Sequence, residues 1–187
     1  MNTSSNTQES RENGSPFSVE RVDGSNLAPD LLKELTELDR RASEGTEEEL
    51  DVEDGESILS NPRGIHLVVR NGKAIIGYMT ALPEDESYSL SKGGDPLVIP
   101  TSENMYIEAM VIDPAYRGLK PFFMLTKQMI ASAKEGGYVN ISTHARTTNG
   151  FSEIIQKKFG GVFQRAVDNY FDTGETFDYL LIPLANL

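Results

Sequence analysis

Residues 105 to 138 constrain the fold of this chain more than any other stretch. The apolar run from Met105 to Ile112 carries one embedded carboxylate, Glu108, and predicts a buried strand. Asp113-Pro114 ends that strand, since proline has no N–H with which to continue a sheet ladder. A tight polar turn, Ala115 to Lys120, leads into a helix expected to start near Pro121, whose missing N–H suits a first helical turn. Phe122, Leu125, Met129 and Ile130 form its apolar stripe, and Gly136-Gly137 stops it. Strand, turn and helix N-terminus is the usual way for a fold to present backbone N–H groups to a phosphate.

The surrounding chain supplies a sheet for this unit. Phe17 to Val22 alternates as a first strand, and Leu31, Leu32, Leu35 and Leu38 give a helix over about Pro29 to Ala42 its buried stripe. Two strands, Ile65 to Arg70 and Lys73 to Leu82, flank Asn71-Gly72, a strong hairpin signal. The second is apolar on both faces and therefore central. Residues 83 to 104 hold Pro83, Gly93-Gly94 and Pro96 and read as a long excursion at the edge of the fold, of a length usually tied to function. After the organising stretch, Val139 to Ala145 is a strand and Thr148-Asn149 precedes a helix over Gly150 to Lys158. Val162 to Phe171 and Phe177 to Pro183 close a hairpin around Asp172-Thr173-Gly174. Hairpins early and one strand–helix–strand crossover late predict an α+β fold. Its sheet is mixed and mostly antiparallel, with a parallel central pair and helices on both faces. Residues 1–15 are too polar to offset ordering entropy and are expected to form a disordered tail, leaving 16–187 as a single domain.

Composition removes several classes of chemistry. The chain has no cysteine and two histidines, His66 and His144, so thiolate chemistry is excluded and no metal site is expected. The net charge is −12; residues 1–57 hold 16 Asp/Glu against 5 Lys/Arg, a balance of −11, and the remainder is near neutral. That argues against nucleic acid as a partner and for a cationic one, or simply for a solvated acidic segment. No apolar run suits a membrane span or a signal peptide, so a cytoplasmic protein without a membrane partner is expected.

The residues Tyr106 to Gly118, ending Val111-Ile112-Asp113-Pro114-Ala115-Tyr116-Arg117-Gly118, resemble the signature of the GCN5-related N-acetyltransferase (GNAT) superfamily. Asn149, followed eleven residues later by Gly160 at the end of Lys157-Lys158-Phe159-Gly160, is a second similarity, and the resemblance spans about residues 17 to 183. It implies acetyl-CoA as co-substrate and a primary amine of a small molecule or protein as acceptor. It implies pantetheine contacts from Met110, Val111, Ile112 and Asn149, and pyrophosphate contacts from Arg117, Gly118, Leu119, Lys120 and Phe122. A homodimer is common in that family. Three positions depart from the pattern: Lys120 and Phe122 stand where small residues are usual, and Gln156 stands where a Tyr acid is common. A binding or regulatory module with impaired catalysis is the alternative.

Amine acetylation needs a base, a polarised thioester carbonyl and an acid for the thiolate. Glu108 is the candidate base or amine anchor, or else a partner for some group inside the sheet. Tyr170 is the candidate acid, with Tyr116 or water as substitutes. The backbone N–H of Val111 or Ile112 would polarise the carbonyl. His144 has a polar or water-mediated proton-transfer role open to it, a structural role being the simpler reading. Asn149 either bonds pantetheine or caps its helix. Arg146 reads as a phosphate or carboxylate contact, or as solvated.

Overall fold

The computed structural model describes residues 15–43 and 52–187. Residues 1–14 of the expected tail and residues 44–51 of the acidic segment lie outside the described residues. Seven strands form one sheet: β1 (Phe17–Val22), β2 (Ile65–Asn71), β3 (Ala74–Pro83), β4 (Asn104–Ile112), β5 (Asn140–Arg146), β6 (Val162–Val167) and β7 (Phe177–Pro183). Their order is β1-β2-β3-β4-β5-β7-β6. β4 and β5 run parallel, whereas β1–β2, β5–β7 and β6–β7 are antiparallel, which is the mixed α+β sheet the sequence predicts. The helices are α1 (Pro29–Ala42), α2 (Val52–Leu59), α3 (Tyr88–Ser91), α4 (Leu119–Glu135) and α5 (Phe151–Phe159). None among the described residues is long and apolar enough to cross a membrane.

The chain divides into two compact units. One comprises Met1–Thr80 with Ala109–Met129; the other comprises Ala81–Glu108 with Ile130–Leu187. In the first, the Leu stripe of α1 is buried as its spacing requires: Leu35 and Leu38 pack with Leu59, Val68, Ile75 and Tyr78, and Ala109 and Val111 of β4 lie against the same core. The Tyr78 hydroxyl donates to the buried Asp39 carboxylate at 2.9 Å, so neither polar group is left unsatisfied in this apolar region. Gly77 lets β3 approach β4 closely, because a Cβ there would stand 2.6 Å from the Ile112 side chain and 2.7 Å from the Val111 carbonyl.

In the second unit the β4–β5 register runs Asn104↔Asn140, Met105↔Ile141, Tyr106↔Ser142 and stops there, although β4 continues to Ile112 and β5 to Arg146. Glu84, 2 % exposed, anchors the 83–104 excursion from inside. It accepts from the Thr101 N–H (3.3 Å), Asn104 Nδ2 (3.1 Å), Ser142 Oγ (2.5 Å) and the Tyr179 hydroxyl (3.3 Å).

Several boundaries differ from the sequence expectation. Helix α4 opens at Leu119 rather than at Pro121, and the proline sits third, still within the turn whose N–H groups have no intrahelical acceptor. Strand β6 ends at Val167, not Phe171. Asn169, Phe171 and Asp172 adopt positive φ (54°, 50° and 58°) and turn the chain early, so the closing hairpin has a long, wound connection. The acidic stretch resolves at its end into α2, and the excursion carries a single helical turn, α3.

Candidate active site

The candidate residues fall into two groups, one in each compact unit. In the first unit β4, the turn and α4 bring Met110, Val111, Ile112, Arg117, Gly118, Leu119, Lys120 and Phe122 onto one continuous strand–turn–helix. Asp113 shapes the turn: its Oδ1 accepts from the Ala115 N–H at 2.9 Å, and its own N–H bonds the Ile76 carbonyl at 2.9 Å. Its other oxygen meets Arg41 Nη2 at 3.3 Å, and Arg117 Nη2 donates to the Ala42 carbonyl at 2.9 Å. The turn is thereby tied to the last residues of α1, where a cation also suits the helix C-terminus. Lys120 is exposed, its ammonium 5.9 Å from the centre of the Phe17 ring. Phe122 is 2 % exposed and meets Phe123 edge-on at 5.8 Å, so its side chain serves the core.

The second unit holds Glu108, Tyr170 and Asn149. Glu108 is half-buried, and its carboxylate accepts from the Tyr88 N–H (2.9 Å), the Ser89 N–H (3.1 Å) and the Ser89 hydroxyl (2.6 Å). It therefore holds the start of α3 against β4. Three of about four lone-pair sites are used, and one, on Oε1, remains for a further donor. Asn149 is exposed and its Oδ1 accepts from the Phe151 N–H at 3.0 Å, so it caps the start of α5.

Tyr170 is buried, and its hydroxyl lies 2.8 Å from that of Tyr106. The Tyr106 hydroxyl is 2.9 Å from His144 Nδ1, and His144 Nε2 is 3.0 Å from Asp95 Oδ2. Asp95 also pairs with Arg165 and accepts from the Leu97 N–H at 3.0 Å. The His144 ring is sandwiched between Tyr170 (centroids 4.5 Å apart) and Tyr179 (4.8 Å), and the Arg165 guanidinium lies 4.7 Å from the Tyr179 ring. Sheet register explains the grouping. His144 pairs with Tyr179 across β5–β7, and Tyr179 with Arg165 across β7–β6, so the three form one cross-strand row. The register shift between Phe163 and Arg165 marks a bulge that puts Arg165, rather than Gln164, in that row.

Burial dominates the electrostatics of this cluster. It pushes the Tyr106 and Tyr170 phenols well above the usual tyrosine range, with the Glu108 charge adding to both. It pushes Tyr179 up to about 12, with the Glu84 charge adding. It lowers His144 below the ordinary imidazole value, although Asp95 pulls the other way. Burial alone would raise Asp95, but the bonds from His144, the Leu97 N–H and Arg165 outweigh it and hold the carboxyl low. A neutral His144 beside an ionised Asp95 and a charged Arg165 follows. Sequence reading missed Asp95, Arg165 and Tyr179; the cross-strand row is the signal that identifies Tyr179 and Arg165, and it requires the register.

Solved structures with the same fold include N-acetyltransferases. The ribosomal-protein-S18-alanine N-acetyltransferase from Escherichia coli superposes with a TM-score of 0.68 at 12% identity, over 90% of this chain and 94% of that one. An N-acetyltransferase from Staphylococcus aureus Mu50 gives 0.68 at 13% identity, over 90% and 98%. An acetyltransferase from Salmonella typhimurium, solved with its cofactor acetyl-CoA, gives 0.66 at 13%, over 91% and 95%. At such identities the likeness is one of fold. A search of curated protein sequences finds no match. The model of the acetyltransferase (GNAT) family matches residues 32–153, well over half of the length. The chain belongs to the acetyltransferase (GNAT) family.

Proposed function

We propose that this protein is an N-acetyltransferase that moves an acetyl group from acetyl-CoA to a primary amine of a small molecule or protein. The observation that carries this reading is the strand–turn–helix of β4 and α4 within a sheet whose parallel β4–β5 pairing stops at Tyr106↔Ser142. The first turn of α4 fits a pyrophosphate: the Leu119 and Lys120 N–H groups fall in the turn that has no intrahelical acceptors, and two exposed cations, Arg117 and Lys120, stand at the same end. Pro121 removes one donor, and Lys120 offsets it with a charge-assisted contact. The backbone of Met110 to Ile112 would align the pantetheine arm, with the Val111 or Ile112 N–H polarising the thioester carbonyl. Glu108, two residues back along β4, would hold the incoming ammonium through its remaining lone pair.

Bound acetyl-CoA supplies an activated acyl group; the protein's part is to orient it, to strip the amine of its proton and to protonate the thiolate. Calorimetry with acetyl-CoA tests the reading directly. Submillimolar binding that weakens on Arg117→Ala, together with acetylation of a member of a primary-amine panel, is the expected result. No binding at millimolar acetyl-CoA would sink it. The second reading, a family member that binds without catalysis, draws on the Lys120–Pro121–Phe122 replacement in the turn. It predicts binding with no turnover of any amine.

A further inference from the structure

The buried chain Tyr170–Tyr106–His144–Asp95 has a definite hydrogen-bond polarity. Asp95 is ionised and takes hydrogen bonds only as an acceptor, so His144 Nε2 carries the proton that it donates to Oδ2 at 3.0 Å. In a neutral imidazole Nδ1 is then a bare acceptor, and the Tyr106 hydroxyl at 2.9 Å must donate to it. With its proton committed, the Tyr106 oxygen accepts from the Tyr170 hydroxyl at 2.8 Å. Both phenolic protons point toward His144. The outermost oxygen, that of Tyr170, retains lone pairs that accept, and the Glu108 charge acts on both phenols.

We infer that His144 is the terminal proton acceptor of a two-tyrosine relay that deprotonates the amine substrate held beside Glu108, with Asp95 and Arg165 as positioning residues that fix its tautomer. This rests on the acetyltransferase reading and names the base for it. The step balances. An N–H bond of the ammonium breaks and its proton goes to the Tyr170 oxygen. The Tyr170 proton passes to Tyr106, and the Tyr106 proton passes to His144 Nδ1. A neutral amine and an imidazolium result, and both phenols are restored. The charged forms of the phenols need never accumulate, which matters because burial disfavours them. The imidazolium forms between the carboxylate of Asp95 and the faces of Tyr170 and Tyr179, where anion and ring quadrupoles favour a cation. Among the described residues Arg165 is the cation that opposes it, and it is itself paired with Asp95. Gly94 keeps the Asp95 loop tight on this cluster: a Cβ there would lie 2.6 Å from the Phe171 ring and 3.0 Å from the Tyr170 ring. Glu108 is suited to anchoring rather than to this transfer, since three donors from the α3 segment already occupy it.

The test combines kinetics with ring-nitrogen NMR on the full chain. Tyr106→Phe and Tyr170→Phe delete one oxygen each and preserve packing; His144→Gln removes the acceptor. With an amine drawn from a panel of spermidine, tyramine and a lysine-containing peptide, kcat should fall about 100-fold in each variant while KM for acetyl-CoA stays unchanged. The wild-type kcat/KM for the amine should rise with pH through an apparent pKa below the ordinary imidazole value, and that acidic limb should vanish in His144→Gln. The two histidines of the chain allow assignment by one variant. At neutral pH, His144 should show an unprotonated Nδ1 and a protonated Nε2, and both Tyr→Phe changes should move the Nδ1 resonance. Turnover with the acidic limb intact in His144→Gln overturns the relay and leaves the acetyltransferase standing. A protonated Nδ1, or one indifferent to Tyr170→Phe, overturns the relay whether or not any amine turns over. Failure to bind acetyl-CoA overturns the reading on which the relay rests.

Discussion

Glu108 shows how one side chain can be placed by chemistry that its own strand does not display. Its carboxylate accepts three hydrogen bonds from Tyr88 and Ser89, two of them from backbone N–H groups that open α3. Glu108→Gln replaces an acceptor oxygen by a donor and sets it against an N–H. The expected loss is about 1.5–3 kcal/mol of stability, the value of a hydrogen bond to a charged group, read as a lower urea midpoint. Amide exchange at Tyr88 and Ser89 should quicken, while acetyl-CoA affinity, which does not involve this contact, should hold. An unchanged exchange rate at those two amides would show that the carboxylate does not pin the excursion. The embedded carboxylate was legible in the sequence because an ionisable residue in an apolar strand must have a partner. The partners were not legible, since they are backbone groups 19 and 20 residues away on a loop without a pattern. Asp95 and Arg165, the partners around His144, were hidden for a related reason: Asp95 lies 49 residues from His144 and 70 from Arg165.

At the scale of elements, periodicity carried most of the fold. The bounds of β1, α1 and β7 follow from alternation and from the Leu stripe, because those signals repeat over a whole element. The start of α4 and the end of β6 escaped, since each is set by one turn. Asn169, Phe171 and Asp172 give no warning as a group that they will take positive φ. The α4 start is also where the proposed function is most exposed to experiment. Lys120 is on the surface and makes only a ring contact with Phe17, so replacing it should leave the fold intact. Lys120→Glu puts a carboxylate at a helix N-terminus, which the dipole favours, yet removes the cation facing the pyrophosphate. The melting temperature is therefore expected to stay level or rise slightly, while the Kd for acetyl-CoA increases about 10-fold, equivalent to roughly 1.4 kcal/mol. A Kd that ignores the substitution would mean that Lys120 does not replace the missing small residue of the turn.

For the whole molecule the governing quantities are protonation and charge. His66 and His144 both sit below the ordinary imidazole value because burial disfavours their charged forms. His66 Nε2 lies 3.2 Å from the Asn61 carbonyl and Nδ1 2.6 Å from Thr80 Oγ1, a hydroxyl that can donate to the neutral ring. For such groups the unfolded chain binds more protons, so stability is complete above the unfolded value near 6.5 and declines as pH falls. The urea midpoint should be flat from about pH 8 to 7 and drop below about pH 6.5, at no more than about 1.4 kcal/mol per pH unit for each group. His66→Gln should shallow that slope. Asp95, held below its usual range, adds a further loss only at more acidic pH. Charge acts at longer range. The first 57 residues carry a balance of −11 within a chain of net charge −12, so the two substrates of the proposed reaction meet opposite fields: a polyamine is drawn in, and the anionic acetyl-CoA is repelled except at Arg117 and Lys120. Raising salt from about 20 mM to about 200 mM shortens the screening length from roughly 20 Å to roughly 7 Å and removes most of both effects. KM for spermidine should rise with salt while KM for acetyl-CoA stays level or falls. If the acidic segment serves only to keep the chain solvated, the spermidine value will not move, and the field will have no part in choosing the amine.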